Sequence, residues 1–188
     1  MSARKPLYQR IIAHDWVKLD PQVQELHLGA SKATWTGRFT VEHGKSLLSR
    51  LTLRLFGLPP AGADIPVRLT VTSSDSGETW ERHFADKRFT TRQYENPGRL
   101  LGEAIGVLRI SYRLLVADGR LSHHRRDVRI QLKGLSAPVP GWLAPQIRGE
   151  ERGLEDGTGI WVSVSASHRL LGELITYQGK ISKAAVRG

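Results

Sequence analysis

The chain of 188 residues carries 28 Lys and Arg against 18 Asp and Glu, a formal charge of +10, and contains no cysteine. Disulfides, thiolate metal sites and cysteine nucleophiles are therefore excluded, and 39% hydrophobic with 24% charged residues leaves no room for a collagenous, coiled-coil or wholly disordered chain. No uncharged stretch, Gly157 to Ser167 included, is long enough for a spanning helix, and the opening Met1-Ser-Ala-Arg-Lys lacks the apolar core of a signal peptide, so one cytoplasmic domain over residues 1–188 is expected.

Helical signals come first, at about 6–28 and 46–57. Pro6 can sit in a first turn, and Leu7, Tyr8, Ile11, Ile12, Trp16 and Leu19 recur at three- and four-residue spacing, as one amphipathic helix requires. Asp20-Pro21 opens a second short helix with Val23 and Leu26, closed by Gly29. His27 stands where a helix C-terminus favours a cation. A third helix, Leu47 to Phe56, is ended by Gly57 and Pro59-Pro60; its leucines leave only a narrow polar strip with Arg50 and Arg54. Between the second and third helices, Ala33, Trp35, Gly37, Phe39 and Val41 alternate with polar residues as a half-buried strand does.

From about 64 to 182 the period is two. Candidate strands are 65–73, 79–84, 88–95, 107–116, 121–132, 147–154, 160–167 and 171–181, joined by Asp75-Ser-Gly, Asp86-Lys, Asp118-Gly and Asp156-Gly turns. Gly134 to Gln146 reads as one long irregular connection. Short turns between successive strands predict an antiparallel meander, and a meander this long curls or closes to protect its edges. The expected fold is thus mainly β, a strongly curved sheet or barrel of about 8–10 strands with three helices near the N-terminus. A helix-grip fold is the alternative, weakened because the chain ends in a strand.

One hairpin can be read residue by residue. With Asp86-Lys87 as the turn, Phe84 faces Phe89, Arg82 faces Thr91, Glu81 faces Arg92 and Trp80 faces Gln93. Trp80, Arg82, Phe84, Phe89, Thr91 and Gln93 then share the inner face, while Glu81 and Arg92 form an exposed ion pair. A guanidinium inside needs an acceptor, which is an internal carboxylate such as Glu103 or Glu173, a backbone carbonyl, water or a ligand. On a later strand Tyr112 lies in the core stripe of Leu108, Ile110 and Leu114, its hydroxyl expected to reach water.

Catalytic and cofactor signatures are sparse. His123 and His124 point to opposite faces of a strand, and no HxxxH or HExxH spacing occurs, so no metal site and no cofactor are expected. His14-Asp15 reads as an exposed pair. Gly157-Thr-Gly159 lacks the third glycine of a dinucleotide loop, Val162 standing in its place, and there is no phosphate loop or serine elbow. The cations are scattered apart from a denser stretch between Arg120 and Lys133, with no stacking aromatics or reading helix beside them, which disfavours nucleic acid.

Blocks spread along the chain carry a family resemblance: Leu7-Tyr-Gln-Arg, Glu25-Leu-His-Leu-Gly29, Leu55-Phe-Gly-Leu-Pro-Pro-Ala-Gly62, Glu78-Thr-Trp-Glu-Arg-His-Phe84, Phe89-Thr-Thr-Arg-Gln93, Gly106-Val-Leu-Arg, Leu170-Leu-Gly and Tyr177-Gln-Gly179. In their order the chain resembles the bacterial domain of unknown function numbered 4166. That resemblance implies an accessory role beside a saccharopine-dehydrogenase-like oxidoreductase partner or a membrane protein, and it transfers no catalytic residues. The leading expectation is a binding module for a hydrophobic or amphipathic small-molecule or lipid-like ligand, anionic ones included, with Trp80, Phe84, Phe89 and Tyr112 as walls and Arg82, Thr91 and Gln93 as polar contacts. The alternatives are a metal-free enzyme using acid–base residues in the same cavity, and a module that meets an acidic membrane surface or a protein through Leu47–Phe56.

Overall fold

A computed structural model describes residues 5–29, 31–46 and 59–185. Among these residues eleven strands appear: β1 (Lys32–His43), β2 (Gly62–Ser74), β3 (Gly77–Phe84), β4 (Lys87–Asn96), β5 (Leu100–Ile105), β6 (Leu108–Ala117), β7 (Arg120–Leu132), β8 (Leu135–Pro138), β9 (Gln146–Gly153), β10 (Ile160–His168) and β11 (Gly172–Lys183). All pairings between them are antiparallel. The ladder runs β6-β5-β4-β3-β2-β1-β11-β10-β9-β7, and β6 also pairs with β7, closing a barrel of ten strands; β8 attaches to the outer half of β7. Closure removes the free edges that a flat meander would present. The barrel expected from the sequence is therefore the fold observed.

Two strands escape the period-two reading. β5 buries Leu101, Gly102 and Glu103 in succession, a pattern without alternation. β8 is four exposed residues inside the stretch expected to be irregular, held only by its hairpin with the end of β7.

Two α-helices, rather than three, lie among the described residues; the expected third, Leu47 to Phe56, lies outside them. The first is also shorter than expected. α1 (Leu7–Ile12) stops at Ala13, whose φ is 47°, and a 3-10 turn, Ala13–Lys18, carries Trp16 to the core. α2 (Pro21–Leu26) starts at Pro21 as predicted.

These helices plug one end of the barrel. The Asp20 N–H donates to the Gly119 carbonyl at 2.8 Å, and the Asp20 carboxylate accepts the Gly153 N–H at 2.8 Å. Arg99 donates to the Ile11 carbonyl, and Arg10 and Lys183 pair with Glu95 and Glu25. Fully buried Tyr8 and Val23 and nearly buried Leu26 face inward, so the plug is sealed by apolar burial and tied by its polar rim. The opposite end, called here the far end, is formed by the turns after β3, β5, β7 and β10 and by the segment before β9.

The β3–β4 hairpin closes one residue earlier than predicted. Ala85 and Asp86 form the turn, so Phe84 faces Lys87, Arg82 faces Phe89 and Trp80 faces Thr91. β2 accounts for the change: Val67 pairs with Phe84, and the Ala85 N–H donates to the Pro66 carbonyl at 2.8 Å, drawing Ala85 into the turn. The slip is two residues relative to the expected pairing, so every side chain keeps its face. It does change neighbours. Glu81 pairs with Arg88 and, at 2.7 Å, with His83, while Arg92 donates to the Ser76 hydroxyl instead. The expected Glu81–Arg92 pair is therefore not formed.

Candidate functional site

The site begins with strand parity. Trp80, Arg82 and Phe84 of β3, Phe89, Thr91 and Gln93 of β4, and Tyr112 of β6 all face the barrel interior, where six of the seven line voids. Thr91 is buried behind Arg82, accepting a hydrogen bond from its Nη1 at 3.1 Å. The larger void is a cavity of about 150 Å³, with apolar walls that include Ile105, Val162, Val164, Ala166 and Ile175. Its lining residues Phe89, Ile105, Ile147, Ala166 and Ile175 lie at the far-end halves of their strands, while Tyr8 of α1, His123 and Glu151 bound it toward the plug, so the cavity runs from the plug into the far half of the barrel. A smaller void of about 50 Å³ adjoins it, and Trp80, Arg82 and Tyr177 line both.

Arg82 sits between aromatic faces, its guanidinium carbon 5.1 Å from the Trp80 ring centroid and 5.9 Å from that of Phe89. Among the described residues no carboxylate lies within 4.0 Å of it. Of the acceptors weighed from sequence, Glu173 is exposed and Glu103 accepts from Gln93 at 3.5 Å. Arg125, facing Tyr112 across the β6–β7 ladder, has a buried Nε with no acceptor among the described residues.

Around this cation the plug contributes a polar network that the sequence reading did not assemble. Tyr8 donates to Gln93 Oε1 at 2.8 Å and lies 3.5 Å from His123 Nε2. Its ring stacks on His27, centroids 3.6 Å apart. His27 ends α2, at the helix C-terminus as expected. It is fully buried and meets Glu151 at 2.6 Å, its Nδ1 lacking a partner among the described residues. Tyr112 is buried rather than reaching water. Trp80 Nε1 donates to Glu78 at 3.0 Å.

Burial sets most of the proton affinities. It pushes the Tyr8 hydroxyl well above the ordinary phenol value, with Glu151, Glu78 and Glu103 adding to the effect, and it does the same to Tyr112 with Glu103 beside it. It raises Glu78, where facing His27 and the Trp80 hydrogen bond oppose it only in part. It lowers His123 and so favours a neutral imidazole. Glu151 is the exception: burial pushes it up, yet His27, with its charge and hydrogen bond, and then His123 and Arg82 outweigh that and hold it below the usual carboxylate range.

His123 and His124 take opposite faces as predicted, His123 lining the cavity and His124 exposed. Gly149 stands across from His123, and a methyl group there would lie 3.3 Å from Nδ1, so glycine leaves the imidazole its place. His14 and Asp15 are 3.4 Å apart on the outer surface. Among the described residues no group of three or more His, Asp or Glu is placed to hold a metal ion.

A family model for a domain of unknown function, DUF4166, matches residues 19–181. The chain belongs to that family. No curated protein and no solved structure matches it. The matched span holds every residue lining the cavity except Tyr8, which the plug supplies from before the match.

Proposed function

We propose that this family member is a binding module for a small amphipathic anion. The carrying observation is Arg82: a cation inside the barrel, sandwiched by aromatic rings, whose only hydrogen-bond partner among the described residues is the Thr91 hydroxyl. Glu151 feels it only through space. A cation so placed costs several kcal/mol unless a counter-charge reaches it, and a ligand anion does so. Val162, Val164 and Ile175 then receive the apolar part. A void of about 150 Å³ suits a molecule on the order of six to nine non-hydrogen atoms. Native mass spectrometry of the purified chain should find a retained small acid, absent from Arg82→Gln. Equal retention by the two proteins would exclude Arg82 as the anchor.

A second reading, proton transfer on the bound molecule, is favoured by the contact of Tyr8 with His123. A neutral imidazole can accept a proton, and a phenol of raised pKa can hold one beside it.

A further inference from the structure

The far end of the barrel carries an apolar rim that the fold leaves unburied. At the tip of the β7–β8 hairpin Leu132 and Leu135 flank the turn Lys133-Gly134, and Trp142, Leu143 and Leu170 stand on the two neighbouring connections. Leu132, Leu135, Trp142 and Leu170 are between 57 and 79% exposed, and Leu143 is 44% exposed. Two contacts tie these connections together at the far end: His168 lies 3.1 Å from the Leu143 carbonyl, joining the β10–β11 and β8–β9 connections, and the Val139 N–H donates to the Val128 carbonyl, continuing the β7–β8 ladder into the segment that carries Trp142. Exposed side chains of this size gathered on one rim mark an interaction site.

Charge decides what the rim meets. From Val128 to Gly149 there is no carboxylate at all, while Arg129, Lys133 and Arg148 fall within that stretch, and Arg169 lies beside Leu170. Lys133 and Arg169 have no ion-pair partner among the described residues. Aromatic and leucine tips interspersed with free cations match the boundary of a bilayer, where apolar groups enter the headgroup layer and Lys and Arg stay with lipid phosphates.

We infer that the far-end rim, Leu132, Lys133, Leu135, Trp142 and Arg169 foremost, docks on an anionic lipid surface. No helix among the described residues is long and apolar enough to cross a membrane. This docking goes beyond ligand binding and stands on the rim alone; because the cavity extends toward this end of the barrel, docking would also bring the cavity's far-end wall near the lipid.

Co-sedimentation of the full chain with vesicles tests this. Vesicles of phosphatidylcholine with 30% phosphatidylglycerol (about that share suffices for a negative surface) should pellet the protein, and phosphatidylcholine alone should not. Lys133→Glu with Arg169→Glu should lower partitioning on the order of 30-fold or more, at about 1 kcal/mol per cation. Trp142→Ala with Leu135→Ser should lower it while leaving the charge unchanged. Lys5→Glu with Lys32→Glu, at the plugged end, makes the same change of net charge and should leave most of the binding in place. Equal loss from both charge reversals would reduce the effect to net charge and overturn the rim as the site. So would unchanged binding by the Trp142 and Leu135 variant, or no binding to anionic vesicles. Ligand retention, measured on the same rim variants, should be unaffected, so failure of this proposal is distinguishable from failure of the cavity reading.

Discussion

His123 is a titratable group enclosed by the barrel. Its parity with Leu121 puts it inside the barrel, and enclosure lowers its proton affinity. The consequence for stability has a definite sign. A group whose folded pKa is depressed contributes stability above its unfolded value, for histidine about 6.5, and that contribution is lost as pH falls through the folded value. The folded chain should therefore lose stability as pH drops below about 6.5, and His123→Gln should flatten that part of the profile in urea titrations. If His123 is also a base, small keto acids incubated in heavy water should gain deuterium at the carbon beside the carbonyl, and the variant should abolish this. An identical acid profile in the variant would place His123 in contact with solvent, against the geometry above.

Among the elements, the turns set both the strand register and the seat of the plug. Gly119 takes φ 77° in the β6–β7 hairpin, as the Asp118-Gly119 pair predicts, but a methyl group there would also collide with the Asp20 carboxylate. Gly134 in the β7–β8 hairpin has φ 83° with open space around it. Gly134→Ala should therefore cost only the backbone strain, about 1 kcal/mol, and Gly119→Ala about 2–3 kcal/mol by denaturant unfolding, because it also displaces the plug. Equal costs would mean that Asp20 contributes nothing to holding the helices. What could be read beforehand divides along the same line. Alternation in β1, β6 and β10 and the Asp-Gly turn were legible because local chemistry alone sets them. β5 was not, since Gly102 and Glu103 are buried through contacts with other strands. The hairpin register was missed because β2, distant in sequence, decides where β3 turns; the faces survived since a slip of two preserves parity.

For the whole molecule, a ring of ten strands encloses more space than its side chains fill, and the plug determines what kind of space it is. Trp80, Arg82, Phe84, Phe89, Thr91, Gln93 and Tyr112 were within reach of the sequence because they lie on strands with readable parity. Tyr8, His27 and Glu151 were not, since their meeting depends on how the first two helices seat in the barrel, over 124 positions of separation for His27 and Glu151. That seating leaves Arg82 among rings without a nearby carboxylate, and the binding proposal follows from it. Calorimetric titration with hexanoate and with hexanol, molecules of like size differing in charge, tests it most directly. The parent chain should bind hexanoate more tightly by about tenfold or more, the worth of one charge-assisted contact, and Arg82→Gln should bind the two alike. Equal affinity for acid and alcohol in the parent, or an acid preference that survives in Arg82→Gln, would contradict the account.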